Sequence, residues 1–367
     1  MGTDPLQVIR EEVRALSGYH VADSAGLVKL DAMENPYGLP DDLKQKIAKL
    51  IGAAAINRYP DSQARDLRRA LRKALAVPQC AELILGNGSD ELIQVIAMAV
   101  AKPGAVLLAP EPGFVMYRIV ANLCGMRYAG VPLAPDFSLD APAMLAAIAR
   151  HKPAAVFLAY PNNPTGNLFD AEVMTDILRM SSGLVVVDEA YHAFAGKSFM
   201  NRLGNFENLL VMRTLSKLGL AGLRLGIVAG KPELVAELDK VRLPYNVGML
   251  TQLVAMEVLR HGKVLDAQAG AIRAERKRLS AALSKLPGVK TFPSAANFIL
   301  FRLGGNGAAG RVSGEHAAGR VYAGIKSRGV LVKNLDGSHP HLANCLRVSV
   351  GTPPQNDLFL AALRASL

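Results

Sequence analysis

Apolar residues along this chain keep two different rhythms. From about residue 40 to 285 they recur at the three- and four-residue spacing of helices with one buried face, interrupted by short unbroken apolar runs. Those runs are Leu83–Leu85, Ala105–Ala109, Ala155–Ala159, Leu184–Val187, Leu209–Arg213 and Leu225–Ala229. Strands covered by helices on both faces read as continuous apolar segments rather than alternating ones. The pattern therefore predicts an α/β fold: a large domain whose mostly parallel sheet is sandwiched by helices. At the start, Leu6, Ile9, Val13 and Leu16 predict a short amphipathic helix, and Gly18, Gly26, Pro36 and Gly38 punctuate an extended arm after it. Pro244 should end a helix, with Tyr245–Gly248 as a turn. The style changes toward the C-terminus, where strands at Asn297–Phe301, Val330–Lys333 and Leu346–Val350 with intervening helices predict a smaller α+β domain. Gly304–Gly310 reads as a mobile loop, and Thr352-Pro353-Pro354-Gln355 as the capped start of the last helix. The expected organisation is an N-terminal helix and arm over 1–38, a large domain over 39–260 and a small domain over 261–367.

Composition narrows the class. Of 367 residues half are hydrophobic and a fifth charged, ordinary for a globular protein. The formal charge of +11 raises nucleic-acid binding, but the cations are interspersed with Asp and Glu on amphipathic helices. The densest patch, Arg65, Arg68, Arg69, Arg72 and Lys73, has neither interleaved aromatics nor a nucleic-acid motif and reads as a solvated helix face. Excess positive charge also suits anionic ligands. Cys80, Cys124 and Cys345 form no paired motif, so free thiols are expected. Charges through residues 4–14 exclude a signal-peptide core, and Leu92–Ala101 is too short to span a bilayer. A cytoplasmic protein without membrane or metal is expected.

The chemistry gathers at strand ends, where open α/β sheets bind ligands. Lys217 follows the run Leu209–Arg213, Asp188 closes Leu184–Val187, and Asn163 and Tyr191 lie in the loops after two such strands. A carboxylate ending an apolar strand is costly unless it meets a cation. Its neighbour Glu189 points to the opposite side if the strand continues. Gly88-Ser89-Asp90 opens an apolar helix, whose free N–H groups and dipole can bind an anion. The same glycines would also serve a dinucleotide turn or a Ser89 cap, although Glu91 replaces the last glycine of the dinucleotide pattern. Ser216 and Arg224 can complete a phosphate cup. Together these are the parts that pyridoxal 5'-phosphate requires: Lys217 to hold its aldehyde, Asp188 to keep its ring nitrogen protonated, and Asn163 and Tyr191 as donors to its phenolic oxygen. Phe114 or Tyr117 is placed to stack on its ring.

On these residues the chain resembles the fold type I pyridoxal-phosphate enzymes, and more closely the histidinol-phosphate aminotransferases of class II. The resemblance runs over nearly the whole chain. It is carried by Leu30–Gly38, Arg58–Asp61, Gly86–Glu91, Pro112–Tyr117, Asn162–Gly166, Asp188–Tyr191, Leu215–Lys217, Gly222–Gly226 and Leu346–Pro353. It implies transamination between L-histidinol phosphate and 2-oxoglutarate, giving imidazole-acetol phosphate and L-glutamate in histidine biosynthesis. It implies a homodimer in which Tyr59 reaches the cofactor phosphate of the partner subunit. It further implies substrate contacts from Tyr19, Asn35, Lys333 and Arg347. Two positions depart from the family pattern: Lys333 stands where Arg is frequent, and Phe114 where Tyr is frequent. Aromatic or broad-range transamination and threonine-phosphate decarboxylation share these motifs and are the alternatives. A regulator with a DNA-binding module is disfavoured, since 40 residues upstream leave no room for one.

Overall fold

The protein is described by a computed structural model covering residues 4–18, 21–304, 314 and 316–367. Its strands, numbered in chain order, begin with the short β1 (Val28–Lys29). Then come β2 (Glu82–Gly86), β3 (Val106–Glu111), β4 (Arg127–Pro132), β5 (Ala155–Ala159), β6 (Leu184–Asp188), β7 (Leu209–Thr214) and β8 (Gly226–Gly230). These last seven form one sheet in the order β2-β8-β7-β6-β5-β3-β4, in which only β8 runs against the others.

The unbroken apolar runs are explained by burial on both faces. In β5, Val156 and Leu158 join the core on one side, and Ala155, Phe157 and Ala159 the core on the other. Helices Arg65–Ala74, Ala141–His151, Ala171–Met180 and Met249–Arg260 cover the first side. Helices Ser89–Val100, Met116–Leu123 and Pro232–Asp239 cover the second. The fold is thus α/β with a large, mostly parallel, helix-flanked sheet.

A second, antiparallel sheet follows, built from β9 (Val289–Thr291), β10 (Phe298–Leu303), β12 (Lys333–Asn334) and β13 (Cys345–Ser349) in the order β12-β13-β10-β9. Helices Gly262–Leu283, Ala317–Ser327 and Pro353–Arg364 pack its core. In the last of them the Thr352 N–H donates to Gln355 Oε1, the back-bond of a capping box. The chain's early segment is sewn to this part: β1 pairs in parallel with β11 (Val330–Leu331), and the Met33 N–H donates to Ser349 Oγ.

Three readings of the pattern need correction. Residues 5–16 are not one amphipathic helix; a 3-10 turn at Pro5–Val8 and a separate turn of helix at Glu11–Arg14 leave Leu6, Val8 and Ile9 exposed. Arg10, between them, instead donates to the Leu123 carbonyl. The expected strand Val330–Lys333 divides, because Val330–Leu331 pairs with β1 while Lys333–Asn334 pairs with β13. Strand β4 gave no apolar run, since it is a half-exposed edge containing Gly130 and Pro132. All of Gly304–Gly310 beyond Gly304 lies outside the described residues.

Candidate active site

Parallel pairing aligns the ends of the central strands. Asp188 sits level with Ala159 on β5 and Met212 on β7, so the loops leaving these strands open on one side of the sheet. Gly86, Thr214 and Gly226 are likewise level across β2, β7 and β8. The result is a cavity of about 560 Å³ including its mouth, lined by Ser89, Asp90, Phe114, Asn163, Asp188, Tyr191, Ser216, Lys217 and Arg224. Met33, Ala159, Pro161, Ala190 and Thr214 complete the wall.

Two titratable groups in this cavity are displaced from their ordinary ranges. Asp188 is 4% exposed, and its carboxyl is raised from 3.8 to about 6, chiefly because burial penalises the charge. Two donors oppose that shift: the Tyr117 hydroxyl at 2.7 Å from Oδ2 and the Ala190 N–H at 3.0 Å from Oδ1. Lys217 is lowered from 10.5 to about 8, by burial first and by the nearby Arg347 cation second. Its Nζ donates to the Ala32 carbonyl at 3.1 Å. A lysine held near neutrality is a nucleophile and a base. A buried carboxylate with no cation of its own is a receptor for one.

Glu189, one residue on, is fully buried on the other side and is matched. It accepts from Arg213 Nε at 2.9 Å, from Ser198 and from the Phe199 N–H.

The anion-binding corner is built from backbone. Helix Ser89–Val100 starts at Gly88 without a side-chain cap, so no side chain takes its first N–H groups. Arg224 reaches over this turn, 3.4 Å from Ser216 Oγ and 3.3 Å from Asp90 Oδ2. Glycine is required here: a Cβ on Gly88, whose φ is +87°, would lie 2.5 Å from Arg224 Nη2, and one on Gly226 would lie 2.7 Å from the Gly88 carbonyl carbon. Open N–H groups, a guanidinium and a hydroxyl fit a phosphate. Lys217 and Asp188 in the same cavity fit an aldehyde and a basic ring nitrogen, and Phe114 presents an aromatic wall. This donor set fits pyridoxal 5'-phosphate.

The remaining substrate and cofactor candidates lie elsewhere. Arg347 is buried on β13, donating to Asn163 Oδ1 and to the Asp31 carbonyl, and so joins the cavity through Asn163. Lys333 lies opposite Arg347 across the β12–β13 pair, on the same face of the sheet. Asn35 does not line the cavity; it donates to the Leu218 carbonyl and to Gln268 Oε1, bracing the turn that carries Lys217. Tyr59 is 79% exposed, stacked on Tyr245 with centroids 4.5 Å apart, away from the cavity of its own chain. Tyr19 lies outside the described residues. Of the two aromatics weighed for stacking, Phe114 lines the cavity and Tyr117 is buried behind it. The contribution of the Ala32 carbonyl had no signal in the sequence, since any residue supplies one. Among the described residues no cluster could hold a metal and no helix is long and apolar enough to cross a membrane.

Comparison with known proteins gives concordant findings. The sequence model of aminotransferase class I and II matches residues 25–363. The chain is 55% identical over 98% of its length to histidinol-phosphate aminotransferase 1 of Ralstonia nicotianae, covering 95% of that protein. It is 54% identical to histidinol-phosphate aminotransferase 2 of Nitrosococcus oceani, covering 98% of this chain and 97% of that one. Among solved structures, the histidinol-phosphate aminotransferase of Sinorhizobium meliloti in complex with pyridoxal-5'-phosphate superposes with a TM-score of 0.84 at 25% identity, over 97% of this chain and 96% of that one.

Proposed function

This chain belongs to the class I and II aminotransferases, and on that premise we propose that it is a pyridoxal-phosphate-dependent histidinol-phosphate aminotransferase. It exchanges an amino group between L-histidinol phosphate and 2-oxoglutarate, giving imidazole-acetol phosphate and L-glutamate in histidine biosynthesis. The observation that carries the reading is one cavity holding a lysine at about 8, a buried unmatched carboxylate and an uncapped helix start under an arginine.

Pyridoxal phosphate, when bound, supplies a carbonyl that captures amines and a ring that accepts the electron pair left at the substrate's α-carbon. Lys217 Nζ would hold that carbonyl carbon covalently, and the same amine, when free, would be the base that moves the proton at the substrate's amine-bearing carbon. Asp188 keeps the ring nitrogen protonated by offering a buried carboxylate as its counter-charge. Asn163, its oxygen taken by Arg347, has its Nδ2 left to donate to the phenolic oxygen beside Tyr191. The N–H groups of Ser89 and Asp90, with Ser216 and Arg224, bind the phosphate. Phe114 covers the ring. Arg347 and its cross-strand neighbour Lys333 bind the substrate's anionic group, Tyr19 is a further substrate contact, and Asn35 acts near the substrate by bracing the turn that carries Lys217. The proposal includes a homodimer, in which the exposed Tyr59 serves the cofactor phosphate of the partner subunit. It also includes the division into 1–38, 39–260 and 261–367, and a cytoplasmic location, where Cys80, Cys124 and Cys345 stay free.

The test is to mix the cofactor-loaded protein with L-histidinol phosphate and follow the cofactor's visible absorbance in a single turnover, with phenylalanine and threonine phosphate alongside. Rapid loss of the band with histidinol phosphate alone supports the proposal. Loss mainly with phenylalanine moves the function to aromatic transamination, and carbon dioxide release from threonine phosphate moves it to decarboxylation.

A further inference from the structure

Tyr117 is the largest buried polar side chain beside the cavity that the reaction scheme above leaves without a role. Its ring packs at 4.8 Å on Phe157 of β5 and edge-on at 5.5 Å to Phe114, the cavity wall. A phenylalanine would make both contacts. The hydroxyl adds nothing to this packing and would be costly to bury without a partner. Its partner is Asp188 Oδ2 at 2.7 Å, while the Ala190 N–H takes Oδ1. Each carboxylate oxygen therefore has one donor, which fixes the plane of the group.

We propose that Tyr117 is a positioning residue for the reaction: its hydroxyl, donating to Asp188 Oδ2, aims the carboxylate and keeps it ionised so that a bound ring nitrogen retains its proton. The proposal rests on the cofactor reading above. The direction of the hydrogen bond is set by chemistry. Burial first, and the Asp188 charge next, push the Tyr117 hydroxyl well above its ordinary range, so it remains a donor at every working pH. The carboxylates of Asp90 and Glu189 raise the Asp188 carboxyl, and the neighbouring Tyr191 and Tyr128 raise the Tyr117 hydroxyl further. Tyr117 and the Ala190 N–H are the groups that favour the carboxylate. Without the hydroxyl the shared proton moves from the ring nitrogen onto Asp188, and the ring accepts electrons less well.

The experiment compares wild-type and Tyr117→Phe holoenzymes loaded with cofactor labelled with ¹⁵N in the ring. The ¹⁵N signal should move from the pyridinium toward the neutral pyridine position. The kcat should fall about tenfold while KM stays within about twofold. A bound cofactor with an unmoved signal overturns this inference alone, whereas a wild-type protein that binds no cofactor overturns the cofactor reading and this inference with it. Should Tyr117→Phe not fold, 3-fluorotyrosine at position 117 keeps the volume and strengthens the donor. The Asp188 carboxyl titration in cofactor-free protein, followed by ¹³C NMR, must then move down, and an unmoved midpoint overturns the proposal.

Discussion

Asp188→Asn should make the cofactor-free protein more stable while disabling it. In the folded protein the Asp188 carboxyl titrates at about 6 instead of 3.8, mainly because it is buried. A raised carboxyl destabilises the fold wherever it is ionised. Below pH 3.8 the group is protonated in both folded and unfolded chains and costs nothing. The cost grows as pH rises from 3.8 to about 6 and is complete above that. The full displacement corresponds to about 3 kcal/mol. Asparagine removes the charge but weakens the hydrogen bond from Tyr117, which returns about 1 kcal/mol. The expected gain at pH 7.5 is about 1–3 kcal/mol, or roughly 1–4 °C in Tm for a chain of this size. With pyridoxal phosphate bound, the carboxylate gains its cation and the order reverses: the wild type should melt higher than the variant. Turnover should fall at least about a hundredfold. Calorimetry of both proteins, with and without cofactor, at pH 4.5 and 7.5 decides it. A cofactor-free variant that melts below the wild type at pH 7.5, or a difference that does not shrink at pH 4.5, would refute the reasoning.

Further outcomes test the rest of the site and the buried acid beside it. Lys217 at about 8 is roughly one-tenth neutral at pH 7, so stopped-flow capture of pyridoxal phosphate should speed up about tenfold between pH 7 and 9 and level off above. Arg347→Ala should move that midpoint upward, because the cation that helps to lower it is gone, and Lys217→Ala should abolish covalent capture. Gly88→Ala places a Cβ 2.5 Å from Arg224 Nη2 at φ +87°, and equilibrium dialysis should show cofactor affinity weakened by roughly tenfold or more. Glu189→Gln leaves Arg213 buried without its counter-charge, and thermal melting should register a loss of about 3 kcal/mol with the bound cofactor's absorbance unchanged.

The large sheet was legible because burial on both faces leaves a mark that any helix-covered strand must carry. Leu184–Val187 and Ala155–Ala159 could hardly be anything else. The half-exposed edge Arg127–Pro132 carries no such mark, and the two-residue strands Val28–Lys29 and Val330–Leu331 exist only through their pairing with each other. The split of residues 5–16 has a similar cause. Their apolar spacing is helical, but two separate turns form there, and Arg10 between them is tied to the Leu123 carbonyl. In the site, Asn163, Asp188, Tyr191 and Lys217 were readable because each follows a strand whose end could be located. Contacts that cross the chain were not readable. Nothing local indicates that Lys217 meets the Ala32 carbonyl, or that Arg347 grips Asn163 from another sheet.

The clearest lesson of this kind lies in two adjacent residues. Asp188 and Glu189 are both buried acids at the end of one strand, and nothing in their order says which serves a ligand. Their surroundings do. Glu189 meets Arg213, Ser198 and the Phe199 N–H, all from this chain, so its charge is satisfied before any ligand arrives. Asp188 meets only neutral donors, Tyr117 and the Ala190 N–H, and opens on the cavity. A fold keeps an unmatched buried carboxylate only if something outside the chain completes it, because an apolar residue there would be more stable. That asymmetry, a matched acid on one side of the sheet and an unmatched one on the other, argues that the cavity is built to be filled by a cation-bearing ring. It also predicts which of the two substitutions stabilises the empty protein: Asp188→Asn should raise its melting temperature, and Glu189→Gln should lower it.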